Sequence, residues 1–165
     1  MENHHAGAGT YSDSEAESDR RHTIRIGSPA ADVFDFLADG TRAPFWLSGV
    51  SAAQLEKYGG GVGATYRLRL HVDGPGGSHF RYRVIHHRRP VLLAIEAVTL
   101  GIPPTTTFRL APIDQSATRV ALTVVDRSGR DRYASDAVLA RRWTTLWAAC
   151  LPQLKNCLEA ELASN

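Results

Sequence analysis

Few side chains in this sequence stand at spacings that could do chemistry. His71 and His79 flank the turn Asp73–Ser78, so a hairpin would bring the two imidazoles together. A metal ion needs a third convergent His, Cys or carboxylate, and the sequence offers no obvious one. His86 and His87 are adjacent and point to opposite sides of a strand, so they cannot line one site together. No metal and no cofactor is therefore expected. The run Gly59-Gly60-Gly61-Val62-Gly63 has the composition of a phosphate cradle. It lacks a following Gly-Lys-Ser/Thr, and a strand follows it instead of a helix, so the dipole that binds phosphate is missing. A hairpin or pocket-rim loop is the expectation.

Cys150 and Cys157 are the only cysteines, seven residues apart on one expected helix. About 10 Å of helix axis separates them, too far for a disulfide. Both fall on the packed stripe of that helix, where a thiol is inert. No nucleophile elbow and no Cys/His signature is present. Tyr66 and Tyr82 remain as possible proton donors, because a buried phenol needs a partner. Neither lies in a distinctive motif.

The elements that must hold these residues begin with a tail. Residues 1–21 have no hydrophobic periodicity and are rich in Ser, Glu, Asp and Gly, as disordered segments are. A domain of residues 22–165 follows. His22–Ile26 alternates as a first strand. Ser28 and Pro29 read as N-cap and first turn of a helix that carries Val33, Phe34 and Leu37 and stops at Asp39-Gly40. A second short helix carries Phe45 and Trp46. Six strands then follow, joined mostly by hairpins. Their alternation sets the parity of the sheet. Tyr66, Leu68 and Leu70 face inward with Phe80, Tyr82 and Val84; Arg67, Arg69, Arg81 and Arg83 face outward. A slip by one residue would bury arginines. Glu96 is expected outward, near Arg81 and Arg83. The outer arginines read as a solvated face or as a surface for an anionic partner.

The last element is a helix from about Ala134 to Ala163. Leu139, Trp143, Leu146, Trp147, Cys150, Leu154, Cys157 and Leu158 recur at steps of three and four and form one broad stripe. Pro152 removes a backbone donor, which predicts a bend near Ala148. The expected fold class is α+β: a curved seven-stranded antiparallel sheet wrapped around a long C-terminal helix, with two short helices after the first strand.

Bulk composition excludes several functions. The chain has 165 residues, 43% of them hydrophobic and 22% charged, which is ordinary for one globular domain. No apolar run reaches the ~18 residues of a membrane span, so no integral membrane segment is expected. The polar, acidic start does not read as a secretory signal, and two unpaired cysteines suit a reducing compartment. A cytoplasmic location is the expectation. Residues 1–21 carry five acids against two arginines, a net of −3, which leaves +5 on the remainder of a chain whose total is +2. Charge of this size does not imply nucleic acid, and no nucleic-acid partner is expected. A monomer or a homodimer fits equally.

At this point the chain resembles a known family. HTIRIGSPAADVFDFLAD, Trp46, the glycine run before GATYRLRL, RRP-VLLAIE, TTFRLAP with ATRVALTV, and the helix with Trp143, Leu146 and Leu154 are similar to the START-like, or helix-grip, superfamily. The resemblance is to its polyketide cyclase/dehydrase and lipid transport branch, over about residues 22–163. It implies an apolar cavity between sheet and helix that holds a lipid, polyketide or similar hydrophobic molecule. The ligand-binding residues would then be Trp46, Tyr66, Leu68, Leu70, Phe80, Tyr82, Leu93, Ile95, Phe108, Trp143, Trp147 and Cys150, unless these simply fill a packed core. Binding without catalysis and a cyclase-aromatase activity in the same cavity both stay open. For the second, Tyr66 and Tyr82 are the candidate catalytic groups.

Overall fold

The structure is a computed structural model that describes residues 18–71, 79–98, 103–126 and 134–164. Its order is β1 (Ser18–Ile26), α1 (Ala30–Ala38), a 3-10 turn (Gly40–Arg42) and α2 (Ala43–Trp46). Then come β2 (Val50–Lys57), β3 (Thr65–Leu70), β4 (His79–Arg88), β5 (Leu92–Ala97), β6 (Thr105–Asp114) and β7 (Ala117–Asp126). Two helices close the chain, α3 (Ala134–Ala148) and α4 (Leu151–Ala163). This is the helix-grip α+β architecture expected from the sequence. Most of the expected tail, the Asp73–Ser78 turn, Gly101-Ile102 and the Arg127–Arg132 loop lie outside the described residues.

All seven strands form one antiparallel sheet in the order β1-β7-β6-β5-β4-β3-β2. Consecutive strands from β2 to β7 are neighbours, as hairpins require. The exception is β1, which pairs with β7 at the opposite edge from β2. The chain therefore crosses from one edge of the sheet to the other between β1 and β2, and α1 and α2 make that crossing. β1 begins four residues earlier than the alternation of His22–Ile26 indicates, because Ser18 to Arg21 continue the ladder opposite Asp126 to Thr123.

The register follows the expected parity. Tyr66 pairs with Tyr82, Leu68 with Phe80 and Arg67 with Arg81. The aromatic and aliphatic members are buried and the arginines are exposed or half-exposed. Bulges occur where the pattern must shift, as between Val84 and His86. That shift leaves His86 exposed and turns His87 edge-on to Phe34, 5.0 Å between ring centroids.

Three local expectations are corrected. Ser28 is not the N-cap of α1. Pro29 holds that position without a side-chain bond, while Ser28 is buried and its carbonyl accepts from Thr118 Oγ1 at 2.8 Å. The bend near Ala148 is a full interruption. Pro152 has no N–H to give the Ala148 carbonyl, so α3 ends there and α4 restarts at Leu151. Cys157 is not packed inside like Cys150; it is half-exposed on the flank of α4, with its thiol donating to the Phe45 carbonyl at 3.0 Å.

The start of the fold is tied to its end by α4. Glu159 Oε1 accepts from the Gly27 main-chain N–H at 2.9 Å and from Lys155, whose ammonium also donates to the Arg25 carbonyl at 2.9 Å. The Lys155 bond and the Gly27 N–H hold the Glu159 carboxyl below the usual range. A depressed carboxylate stabilises the fold above its unfolded pKa, about 4.3, and the effect is lost as pH falls through the folded value. Glu159→Gln should therefore be less stable than wild type at pH 7. The gap should close as the solution is acidified below about pH 4, as followed by urea denaturation across pH.

Candidate ligand-binding site

The concave side of the sheet is packed with aromatic rings from four directions. β3 and β4 supply Tyr66 and Tyr82, stacked with centroids 5.3 Å apart. β6 supplies Phe108 and α2 supplies Trp46, 6.2 Å apart. α3 supplies Trp143 and Trp147, and Trp147 lies edge-on to Tyr82 at 5.6 Å and tilted to Trp46 at 5.8 Å. Each such ring contributes about 1.5–3 kcal/mol of burial, and each good pair roughly 0.5–1.5 kcal/mol beyond it.

These rings occupy the space in which the family resemblance implied a cavity. The enclosed void lined by Trp46, Tyr82, Leu93, Ile95, Phe108 and Trp147 measures about 10 Å³. That is room for about one water and for no organic ligand. The larger space lies beside it. A cleft of about 590 Å³ opens between α3 and the β2–β3 end of the sheet. Leu70, Leu146 and Ala149 give it an apolar floor; Ser48, His71, Thr145, Arg141 and Arg142 bring polar groups to it. Its size is that of small-molecule sites in general. Leu146 lines the cleft and Trp147, the next residue and about 100° further round the axis, lines the void, so α3 itself stands between the two spaces.

Hydrogen bonding in the interior is incomplete. Trp143 Nε1 donates to Thr106 Oγ1 at 3.0 Å. Trp46 Nε1 and Trp147 Nε1 are buried and have no partner among the described residues. Each orphaned donor costs about 1–3 kcal/mol. Burial pushes the Tyr82 phenol well above its ordinary pKa, so it stays protonated. Burial likewise raises Tyr66, whose hydroxyl donates to the Ala38 carbonyl at 3.3 Å. The Cys150 thiol is pushed up to about 12 by burial and is unreactive there. Among the described residues no three His, Cys, Asp or Glu side chains come together as a metal site. No helix among them is long and apolar enough to cross a membrane.

Of the residues singled out from the sequence, Trp46, Tyr66, Leu68, Phe80, Tyr82, Leu93, Ile95, Phe108, Trp143, Trp147 and Cys150 converge in one buried cluster. Leu70 is at its margin, half-buried, on the cleft floor. Sequence reasoning overlooked Thr106, although parity with Phe108 and Leu110 places it inward. It overlooked Gly40 as well, for which the sequence carried no signal beyond helix termination.

The family is decided by the whole chain. Residues 19–159 match the family described as polyketide cyclase / dehydrase and lipid transport. The chain belongs to that family. None of the curated proteins matches it significantly by sequence. Among solved structures it is similar to the Zhui aromatase/cyclase from Streptomyces sp. R1128, with 19% identity and a TM-score of 0.67 over 88% of this chain and 96% of that one. A START superfamily protein from Mycobacterium smegmatis is similar over 86% of this chain and 97% of its own, with 14% identity and a TM-score of 0.58. The di-domain aromatase/cyclase BexL matches over 87% of this chain and 50% of its own length, with 17% identity and a TM-score of 0.60. Members of this SRPBCC family bind hydrophobic ligands or act as cyclases. At these identities the likeness to solved structures is one of fold.

Gly40 sets the position of the stacked tyrosines. A Cβ there would stand 2.3 Å from Tyr82 Oη and 2.5 Å from the Tyr66 ring. Neither ring has room to retreat, since Tyr82 is wedged against Trp147. Gly40→Ala should destabilise the fold by about 1–3 kcal/mol in chemical denaturation. An unchanged midpoint would mean that the tyrosine stack is looser than its geometry indicates.

Proposed function

We propose that this chain binds a hydrophobic small molecule that carries carbonyl or similar acceptor groups, between the sheet and the α3 helix. The reading rests on one observation, an apolar-floored cleft of about 590 Å³ on α3, the helix that also carries Trp147, one of two buried indole donors without acceptors among the described residues. The cleft admits an apolar ligand. The orphaned Trp46 and Trp147 N–H groups and the protonated Tyr82 phenol select one that brings oxygen. A ligand lodged deeper than the cleft must displace a tryptophan, because the present void is too small. Binding energy then offsets lost ring packing by satisfying the indoles.

A second reading is a cyclase-aromatase working in the same space, the activity for which the similar Streptomyces protein is named. The stacked Tyr82 and Tyr66 favour it to the extent that a buried, protonated Tyr82 phenol can donate to a carbonyl, joined by Tyr66 once its hydroxyl leaves the Ala38 carbonyl. The chemistry would then be orientation of a folded chain with proton donation at one or two points.

All three tryptophans lie in the buried cluster, so their fluorescence reports on the site without a label. Protein purified from its own host should release a hydrophobic molecule in native mass spectrometry, and adding that molecule back should shift tryptophan emission. Ala149→Trp, at an exposed position on the cleft wall, should block both responses while leaving the melting transition cooperative. A clean apo mass, with no emission change across fatty acids, sterols and aromatic polyketides, would sink the reading.

A further inference from the structure

The opposite face of the sheet carries a second, unrelated feature. Gln54, Arg67, Arg81 and Val98 form one row across β2, β3, β4 and the end of β5. Gln54 pairs with Arg67, Arg67 with Arg81, and the Val98 N–H donates to the Arg81 carbonyl at 3.0 Å. Arg69 and His79 form the next row. On the other side the carboxylates are already engaged: Glu96 holds Arg83 at 2.6 Å and Glu56 holds Arg81 at 3.1 Å. Among the described residues, the positive charge of this face is therefore balanced at one end and in excess at the Arg67, Arg69 and His79 end.

At that end lies a pocket of about 270 Å³, lined by Arg67, His79, Phe80, Arg81 and Val98. Arg67 is half-buried in it, and its Nε has neither exposed surface nor a hydrogen-bond partner among the described residues. An unpaired guanidinium donor directly across from a second arginine is doubly unfavourable, by lost hydrogen bonding and by like charge. An oxyanion removes both costs at once. Guanidinium groups present their donors in a plane that fits phosphate or carboxylate oxygens.

We propose that the pocket formed by Arg67, His79 and Arg81 on the outer face of the sheet binds the phosphate or carboxylate group of a small molecule. The guest draws the Arg67 guanidinium toward the pocket and gives its Nε–H an acceptor. It competes with Glu56 for Arg81. The site shares Phe80 with the concave aromatic cluster, but its charged groups lie on the other face of the sheet.

The test is an NMR titration of the full chain with inorganic phosphate and, separately, with acetate, reading the arginine Nε–H and His79 resonances. Saturable one-to-one shifts at Arg67 and His79 are expected with at least one of the two anions. Arg67→Gln should weaken that binding about tenfold, since a charge-assisted hydrogen bond is lost. Glu56→Gln should tighten it by releasing Arg81, which no general loss of structure could do. Non-saturating shifts spread equally over Arg67, Arg69 and Arg83 would mean an adventitious ion only and overturn the proposal. A third arm compares vesicles of phosphatidylglycerol and phosphatidylcholine. Arg67-dependent capture by the anionic vesicles, without saturable binding of either free anion, would also overturn it, in favour of a membrane surface.

Discussion

Every other feature of this protein depends on the pairing of β3 with β4 in one register. The two strands carry alternating arginine and aromatic or aliphatic residues, so the register decides which set is buried. With Tyr66 opposite Tyr82 and Arg67 opposite Arg81, the rings turn to the helices and the guanidiniums turn away. Moving either strand by one residue would put two or more arginines among Trp143, Trp147 and Phe108. The cost of burying even one unpaired charge exceeds what a hairpin gains. The sheet thus acquires two chemically opposed faces from a period of two. Both proposed sites follow from that partition.

On the concave face the partition creates a surplus of aromatic surface. Four large rings from β4, β6, α2 and α3 meet around a void of about 10 Å³. Dense packing of this kind stabilises the fold, yet among the described residues it leaves two indole N–H groups with nothing to bond. A core built for stability alone would use Phe or Leu at Trp46 and Trp147, which fill space without a donor to satisfy. On the reading proposed above, these donors are where a ligand would bring an acceptor. The same logic separates Trp143, whose donor is met by Thr106 and which reads as structural.

The fold was largely legible because its determinants are local and periodic. Alternation and turn signals placed all seven strands and gave the correct inner face, and the 3.6-residue stripe found the C-terminal helical segment, read as one helix. Pro152 announced a bend there, which the structure turns into a break. What failed was information that no periodicity carries. The main-chain bonds of Ser28 to Ile26 and Thr118 displaced it from the cap its side chain favours. Cys157 has the spacing of a stripe residue, but it lies beyond the break, and its half-exposed thiol meets the Phe45 carbonyl of α2. The residues expected to face inward do meet in one buried cluster. The emptiness expected at its centre was not found, because the volume left between packed rings depends on side-chain rotamers and on the helix break, not on residue type.

The interruption at Ala149-Cys150 gives the two halves of the helix different attachments. α4 is fixed to the β1–α1 junction through charged and main-chain bonds of Glu159 and Lys155. α3 meets the sheet through Trp143 and Trp147, whose contacts are mainly dispersion and ring packing. Ring packing is non-directional and survives small displacements, whereas a carboxylate on a main-chain N–H does not. The cleft of about 590 Å³ opens along α3, and a second space of about 480 Å³ lies against α4 at Cys157 and Glu161. A continuous helix would have coupled any opening of the interior to the Glu159 anchor. The break near Pro152 leaves α3 without a continuous helical connection to that anchor, so on the proposed reading a ligand entering from the cleft would displace α3 rings without breaking the Glu159 bonds.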